Sequence, residues 1–169
     1  MNTRTILRLP MVGVALLVIV LSLALVATRS VAAGATPETP SPAKVRYYRA
    51  ENVAKSFAEG AVLYAEPATN YMIHTSRRTA AGMAEVHTLD TDLIYVLEGS
   101  ATFVTGGTVL SPRNTAPDEI RGAAIDGGET RVIAKGDVII VPAGTPHWFR
   151  DVRGPILYYT VKVRPGGRS

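Results

Sequence analysis

Eight short apolar runs, separated by turn-forming residues, most constrain what this chain can fold into. Strand-length runs with Gly, Pro, Asp and Asn between them predict an all-β sandwich or barrel. Before them, Val53 and Phe57 stand four residues apart and Gly60 follows, which predicts a short N-terminal helix over 50–60. The eight runs, in chain order, are NYMIHTSR, MAEVHTL, DLIYVLE, ATFVTGG, ETRVIA, DVIIV, HWFRDV and ILYYTVKV.

The stretch 108–128 is the exception to this pattern. It mixes proline, glycine and charged residues and shows no clean hydrophobic period. A loop of that length inside a compact domain usually serves as a lid or a binding segment. We therefore expect a mobile segment over the mouth of the barrel.

The N-terminus predicts export from the cytoplasm. Arg4 and Arg8 precede the apolar run at 11–27, and small residues follow it. This order is typical of a secretory signal peptide. We expect cleavage within 32–35 and a secreted or periplasmic product with no stable membrane association. The alternative is an uncleaved N-terminal membrane anchor, because the run approaches the roughly 20 residues that cross a bilayer. The predicted parts are a signal peptide over 1–35, a flexible tether over 36–46 and a barrel domain over 47–169.

Charge and cysteine content exclude several classes of function. The formal net charge is +4, but Arg4, Arg8 and Arg29 lie in the predicted signal peptide. From residue 36 onward, 15 basic and 14 acidic side chains remain, so we expect no nucleic-acid partner, which would require a concentrated basic face. The chain has no cysteine, which excludes disulfides, zinc-thiolate sites, a cysteine nucleophile and thiol chemistry through a cysteine-linked cofactor.

The stretch GDVIIVPAGTPHWF contains the most specific motif. Gly136, Pro142, Gly144 and His147 follow the spacing G-x5-P-x-G-x2-H. The glycine permits a turn with positive φ that re-aims the histidine after it. The spacing resembles the second signature of the cupin family, with Asp151 where the family has a final asparagine. The resemblance implies a cupin-like β-barrel (double-stranded β-helix or jelly roll) that binds a metal ion.

A weaker match to the first cupin signature lies upstream, in GMAEVHTLDTDLIYVLEGS. Asp92 and Gly99 fit its second half, with aspartate in place of glutamate. Counting back places His87 on the second histidine and Glu85 on the first. An alternative alignment makes His87 the first histidine and leaves Leu89 in the second position. Together the two signatures, which span residues 70–164, imply the metal ligands Glu85, His87, Asp92 and His147.

The residue types support this site without the family. Glu85 and His87 are two apart on an extended segment and so point to the same face. Asp92 begins the next strand, which we expect to pair with the first after a short turn and to point Asp92, Ile94 and Val96 inward. Imidazoles with carboxylates and no thiolate suit Mn²⁺, Fe²⁺, Zn²⁺ or Ni²⁺. Glu85 is also the candidate catalytic base.

Structural alternatives remain open for these residues. Glu85 would instead form an ion pair with Arg77 or Arg78, and Asp92 would bond to turn amides. His74 is expected to be a core or rim histidine, with a pocket role as the alternative.

Three function classes follow from the sequence. The first is a metal-dependent enzyme of oxygenase, isomerase or lyase type that acts on a small oxygen-bearing substrate. The second is a non-catalytic barrel that binds a small molecule or a metal, and the third is a structural or scavenging protein. We also expect a homodimer, because the run ILYYTVKV carries apolar side chains on both faces.

Overall fold

The computed structural model describes residues 44–67 and 69–166. The predicted signal peptide over 1–35 and the tether up to residue 43 lie outside the described residues and stay predictions. Among the described residues, no helix has the length and apolarity that crossing a membrane requires.

Antiparallel strands make up most of this part of the chain. The five-stranded sheet contains, in spatial order, β1 (Val62–Ala65), β2 (Tyr71–Arg78), β13 (Ile156–Val163), β4 (Thr91–Glu98) and β11 (Val138–Val141). The six-stranded sheet contains β10 (Glu129–Ala134), β5 (Ser100–Thr105), β12 (His147–Val152), β3 (Ala84–His87), β8 (Glu119–Gly122) and β7 (Arg113–Ala116). A two-stranded ribbon contains β6 (Thr108–Leu110) and β9 (Ala124–Asp126).

The predicted N-terminal helix is confirmed as α1 (Ala50–Glu59). It ends because Gly60 adopts a left-handed conformation, with φ of 64°, and its amide donates to the carbonyl of Phe57. The Phe57 ring packs edge-on against Tyr159 of β13, with 4.9 Å between ring centroids. The helix therefore packs on the outer face of the five-stranded sheet, since Tyr159 alternates with the inward residues of β13.

The hydrophobic core lies between the two large sheets. Ile94 and Val96 of β4 are buried, as are Phe103 of β5 and Phe149 of β12, and all four belong to one cluster. The rings of Phe103 and Phe149 meet at 4.8 Å, and Phe149 stacks on Tyr158 at 4.9 Å. Alternate residues of each strand thus point into one shared interior. The predicted all-β barrel is confirmed, and so is its inward-facing row of Asp92, Ile94 and Val96.

The prediction of a long loop over 108–128 is wrong. This stretch forms the four short strands β6 to β9, and β8 pairs with β3 from Ala84↔Gly122 to His87↔Glu119. The sequence conceals these strands because they are only three or four residues long and every residue of β7 is exposed, which leaves no alternating pattern. Glu119 and Arg121 of this stretch line a cavity between the two large sheets, and a role of the stretch in binding stays a prediction.

The expected pairing of the two strands around residue 90 is also wrong. β3 pairs with β12 and β8 in one sheet, whereas β4 pairs with β13 and β11 in the other. The residues between them carry the chain across the barrel and do not form a hairpin. Asp92 therefore faces Glu85 and His87 from the opposite sheet.

Candidate metal centre

The turn before β12 delivers His147 to the interior. Gly144 has φ of 77°, a conformation that side chains rarely adopt, and the following strand begins at His147 with a side chain that is 5% exposed. The Gly144 amide donates to the carbonyl of His87 at 2.8 Å. This hydrogen bond ties the turn to β3, so the two histidine-bearing segments hold each other in place.

Strand register then brings three donor groups together. His147 of β12 and Glu85 of β3 are direct partners across their two strands, and His87 lies two residues beyond Glu85. Glu85 Oε2 is 3.7 Å from His87 Nε2 and 4.0 Å from His147 Nε2. The three residues each offer a ligand atom within 4.8 Å of the others.

The backbone fixes the tautomer of His147. Its Nδ1 lies 3.2 Å from the carbonyl oxygen of Thr145. A carbonyl can only accept, so Nδ1 carries the hydrogen and the Nε2 lone pair faces the carboxylates. This is the form of histidine that binds a metal ion.

Two guanidinium groups orient Glu85. Its Oε1 accepts from Arg78 at 3.2 Å, and Arg121 Nη1 lies 3.3 Å from the same oxygen. The other carboxylate oxygen, Oε2, therefore faces His87 and His147. Of the two arginines weighed from the sequence, Arg78 is the one paired with Glu85, and this ion pair is compatible with a ligand role because it uses the other oxygen.

Asp92 lies beside the donor group but is engaged by a cation. Its Oδ2 is 3.4 Å from His87 Nε2 and 3.9 Å from His147 Nε2. Both of its oxygens also accept from Lys162 Nζ, at 2.9 and 3.0 Å. Asp92 was expected, in the alternative interpretation, to bond to turn amides. In the structure it forms a buried ion pair with Lys162, which joins β4 to β13. Its role as a metal ligand stays a prediction.

The alignment that places Glu85 and His87 together agrees with the geometry. Both side chains line the cavity, whereas Leu89, the second position of the other alignment, is 47% exposed. His74 also lines the cavity, and its Nε2 lies 2.9 Å from the sulfur of Met72. His74 therefore has the pocket position that was the alternative expectation, although it is outside the donor group.

The donor group lies in the wall of a cavity of about 230 Å³. A second chamber of about 300 Å³ adjoins it and shares His74, His87, Glu119 and Lys162 with it. In that chamber Arg164 donates to Asp90 and to Asp118, each at 2.9 Å. The two chambers make a site large enough for a small organic molecule beside an ion.

Sequence reasoning missed several polar residues of the cavity, of which Tyr158 is the most buried. Arg78 Nε donates to Tyr158 Oη at 2.8 Å, and the guanidinium lies 4.7 Å from the centre of the Phe149 ring. Burial raises the pKa of the Tyr158 hydroxyl, against the lowering effect of Arg78, so the phenol stays protonated at neutral pH. The sequence pattern that identifies these residues is the period-two alternation within ILYYTVKV, because it places Tyr158, Thr160 and Lys162 on one face of the strand.

Burial governs the protonation of both histidines. It lowers the pKa of His87 and of His147 below the ordinary value of 6.5, and the nearby Asp92 and Glu85 only partly oppose this effect. Neutral imidazoles are the form that accepts a metal ion, so the site is ready to bind one at neutral pH.

The same pKa shifts predict acid sensitivity in the metal-free protein. Below about pH 6.5 the unfolded chain takes up protons at these histidines while the folded chain does not, so the free energy of unfolding falls as the pH falls. Urea unfolding in the presence of a chelator, between pH 7.5 and 5.5, measures this slope. In a double variant, His87→Gln with His147→Gln, the free energy of unfolding should depend less steeply on pH. Equal slopes in the variant and the parent would contradict the prediction.

Comparison with known proteins finds one family model and several similar solved structures. A family model described as Cupin matches residues 68–162. No curated protein matches the chain. A solved structure from Bacillus halodurans is similar at 16% identity, with 75% of this chain and 84% of that chain covered and a TM-score of 0.47. A cupin domain from Schizosaccharomyces pombe is similar at 14% identity and a TM-score of 0.44, with 62% of this chain covered and 59% of that domain's length spanned.

A third solved structure is that of hydroquinone 1,2-dioxygenase from a Sphingomonas species with 4-hydroxybenzoate bound. It is 13% identical, with 59% of this chain and 62% of that chain covered and a TM-score of 0.43. The family model covers more than half of the chain. The chain therefore belongs to the cupin family.

Proposed function

We propose that this protein is an exported cupin that holds one divalent metal ion with Glu85, His87 and His147 and binds a small oxygen-bearing molecule on that ion. The observation that supports it is the convergence of these three ligand atoms, within 4.8 Å of one another, in the wall of the cavity.

The donor set fits such an ion. Nitrogen and oxygen ligands about 2.1 Å from one ion lie roughly 3.0 to 3.5 Å apart. The separations of 3.7 and 4.0 Å from Glu85 Oε2 to the two histidines need only small side-chain adjustments to reach that range. Donors without sulfur suit Mn²⁺, Fe²⁺, Zn²⁺ or Ni²⁺, and three protein ligands leave coordination positions open for a substrate.

The ion would supply Lewis-acid polarisation of a bound oxygen, in a reaction of oxygenase, isomerase or lyase type. Within the chain, we assign Glu85 to holding the ion, because one of its oxygens is occupied by arginines and the other faces the histidines. The catalytic-base role considered for Glu85 would require it to leave the ion. Tyr158 lies in the cavity wall with a protonated hydroxyl, and it is the candidate proton donor.

A second candidate function is a non-catalytic barrel that binds a small molecule. Among the described residues that line the cavity, every carboxylate is ion-paired: Glu85 with Arg78, Asp92 with Lys162 and Glu119 with Arg121. A carboxylate held in this way is less available for proton transfer, which favours binding over turnover.

Metal analysis followed by substrate screening tests the proposal. Protein purified after incubation with Mn²⁺, Fe²⁺, Zn²⁺ or Ni²⁺ should contain one ion per chain by elemental analysis. The ion-loaded protein is then assayed on phenols, enols and sugars, with and without oxygen. Turnover supports the enzyme, saturable binding without turnover supports the second candidate, and the absence of a stoichiometric ion contradicts the proposed metal site.

Export is supported by the sequence of the N-terminal segment. The apolar run at 11–27 ends in small residues, and a proline-rich stretch follows. Mass spectrometry of protein recovered from expressing cells should find a mature N-terminus within residues 33–36. Recovery of chains that retain residue 1 would favour the N-terminal anchor.

A homodimer is supported by an apolar area on the outer face of the five-stranded sheet. Leu93 and Tyr95 of β4 pair in register with Ile140 and Val138 of β11, and these four side chains are between 37% and 64% exposed. Covering such an area in a second copy would remove it from water. Sedimentation should show a dimer that Ile140→Glu converts to a monomer, and a monomeric parent protein would contradict the proposal.

A further inference from the structure

The cavity wall is electrically balanced before any ion enters it. Among the described residues, the charged side chains that line it are three cations and three anions, which form contacts with one another. Glu85 contacts Arg78 and Arg121, Glu119 contacts Arg121, and Asp92 contacts Lys162. The six are Arg78, Arg121, Lys162, Glu85, Asp92 and Glu119.

A divalent ion would therefore add charge that the wall has no surplus carboxylate to neutralise. A metal-bound imidazole is neutral, so His87 and His147 do not change this balance. The adjoining chamber contains Asp90, Asp118 and Arg164, whose formal charges leave one negative charge. The ion-loaded site as a whole thus stays positive. Because the glutamate and aspartate beside the ion are buried, an uncompensated charge there is poorly screened by water and costly.

We infer that the ligand of this site is a small organic carboxylate, whose negative oxygens occupy the open positions of the ion and complete its charge balance. This inference rests on the proposed function, because it requires the ion. It names the class of molecule that the site selects: an anion is favoured over a neutral molecule of the same shape.

The dimensions and the walls limit the size of this carboxylate. The chamber that contains the donor group has a volume of about 230 Å³, below the range of roughly 300 to 1,000 Å³ common for drug-sized ligands, so the part of the ligand nearest the ion must be small. Ile94 and Phe149 supply apolar wall, and Lys162 and Glu119 border both chambers. The fitting ligand has one charged end toward the ion and a short apolar body.

Matched charged and neutral probes test the inference. Benzoate and butyrate are titrated calorimetrically into zinc-saturated protein, and benzamide and butyramide serve as neutral partners of the same shape. We expect each carboxylate to bind at least tenfold more tightly than its amide. We also expect the preference to disappear in chelator-treated protein, where the positive charge is missing.

Two variants outside the donor group then test the sign of the charge effect. A unit charge about 10 Å from the anion, at an effective dielectric constant of about 20, changes affinity roughly tenfold. Under zinc saturation, Arg121→Gln should weaken benzoate binding and Glu119→Gln should strengthen it, each by about that factor. Arg121 also contacts Glu85, so benzamide affinity in the same two variants measures the effect of any movement of Glu85, and the charge effect is the change in benzoate affinity relative to the change in benzamide affinity. A purely structural role for this contacting pair would shift both variants in the same direction.

The outcomes separate the two proposals. If the protein takes up none of Mn²⁺, Fe²⁺, Zn²⁺ and Ni²⁺ in a stoichiometric amount, the proposed function fails and this inference fails with it. If zinc binds but benzoate is no tighter than benzamide, or if the two variants shift benzoate affinity in the same direction, the inference alone is overturned.

Discussion

Replacing His147 with alanine should abolish stoichiometric binding of a divalent ion, and His87→Ala should do the same. Each histidine supplies one of the three ligand atoms that lie within 4.8 Å of one another, and two remaining ligands cannot hold an ion tightly. Elemental analysis of the purified variants measures the loss. A thermal assay gives a second readout, because an ion that binds only the folded state adds about 2.7 kcal/mol of stability at a hundredfold excess over its dissociation constant.

The matched control for these variants is His74→Ala. His74 lines the same cavity but contacts the sulfur of Met72 and lies outside the donor group. It should retain both the bound ion and the rise in melting temperature. If the three variants bind the ion as the parent does, the histidines are structural and the ion site lies elsewhere.

Lys162→Met should destabilise the metal-free protein by about 3 to 5 kcal/mol, because it leaves a buried carboxylate without its cation. Asp92 is 3% exposed, and Lys162 Nζ donates to both of its oxygens. Urea unfolding at pH 8, where the histidines are neutral, measures the loss. Combining Lys162→Met with Asp92→Asn should recover part of it, since neither partner is then left charged and unpaired.

The same variant decides whether Asp92 can serve as a ligand. Freed from Lys162, Asp92 lies within 4 Å of both histidine Nε2 atoms and is able to join the ion. The ion should therefore stabilise Lys162→Met more than it stabilises the parent. Lys55→Met is the control, because Lys55 forms an exposed ion pair with Glu59 whose loss should matter little. Equal stabilisation by the ion in all three proteins would exclude Asp92 from the coordination sphere.

The segments that carry the candidate ligands were predictable because their local sequence patterns agree with the fold. The sequence pattern predicts a glycine turn followed by His147 at the start of a strand. It also predicts that Glu85 and His87 share one face. The inward row of Asp92, Ile94 and Val96 follows from period-two alternation. None of these inferences requires knowledge of which strands pair.

The charged residues around the ligands were not predictable in the same way. Arg121 belongs to β8, a four-residue strand with no apolar alternation of its own, and it reaches Glu85 only because β8 pairs with β3. Lys162 meets Asp92 because β13 lies beside β4, a contact between residues 70 positions apart. Such partners depend on sheet order, and short-range patterns do not encode sheet order.

The hydrogen bond from the Gly144 amide to the His87 carbonyl also makes that amide a reporter of motion. Its hydrogen can exchange with solvent only when the turn separates from β3, and this separation also parts the two histidine-bearing segments. The exchange rate of this one amide therefore measures how often the site opens. Slower exchange on adding an ion would show that the ion closes the turn onto the strand, without any assay of turnover.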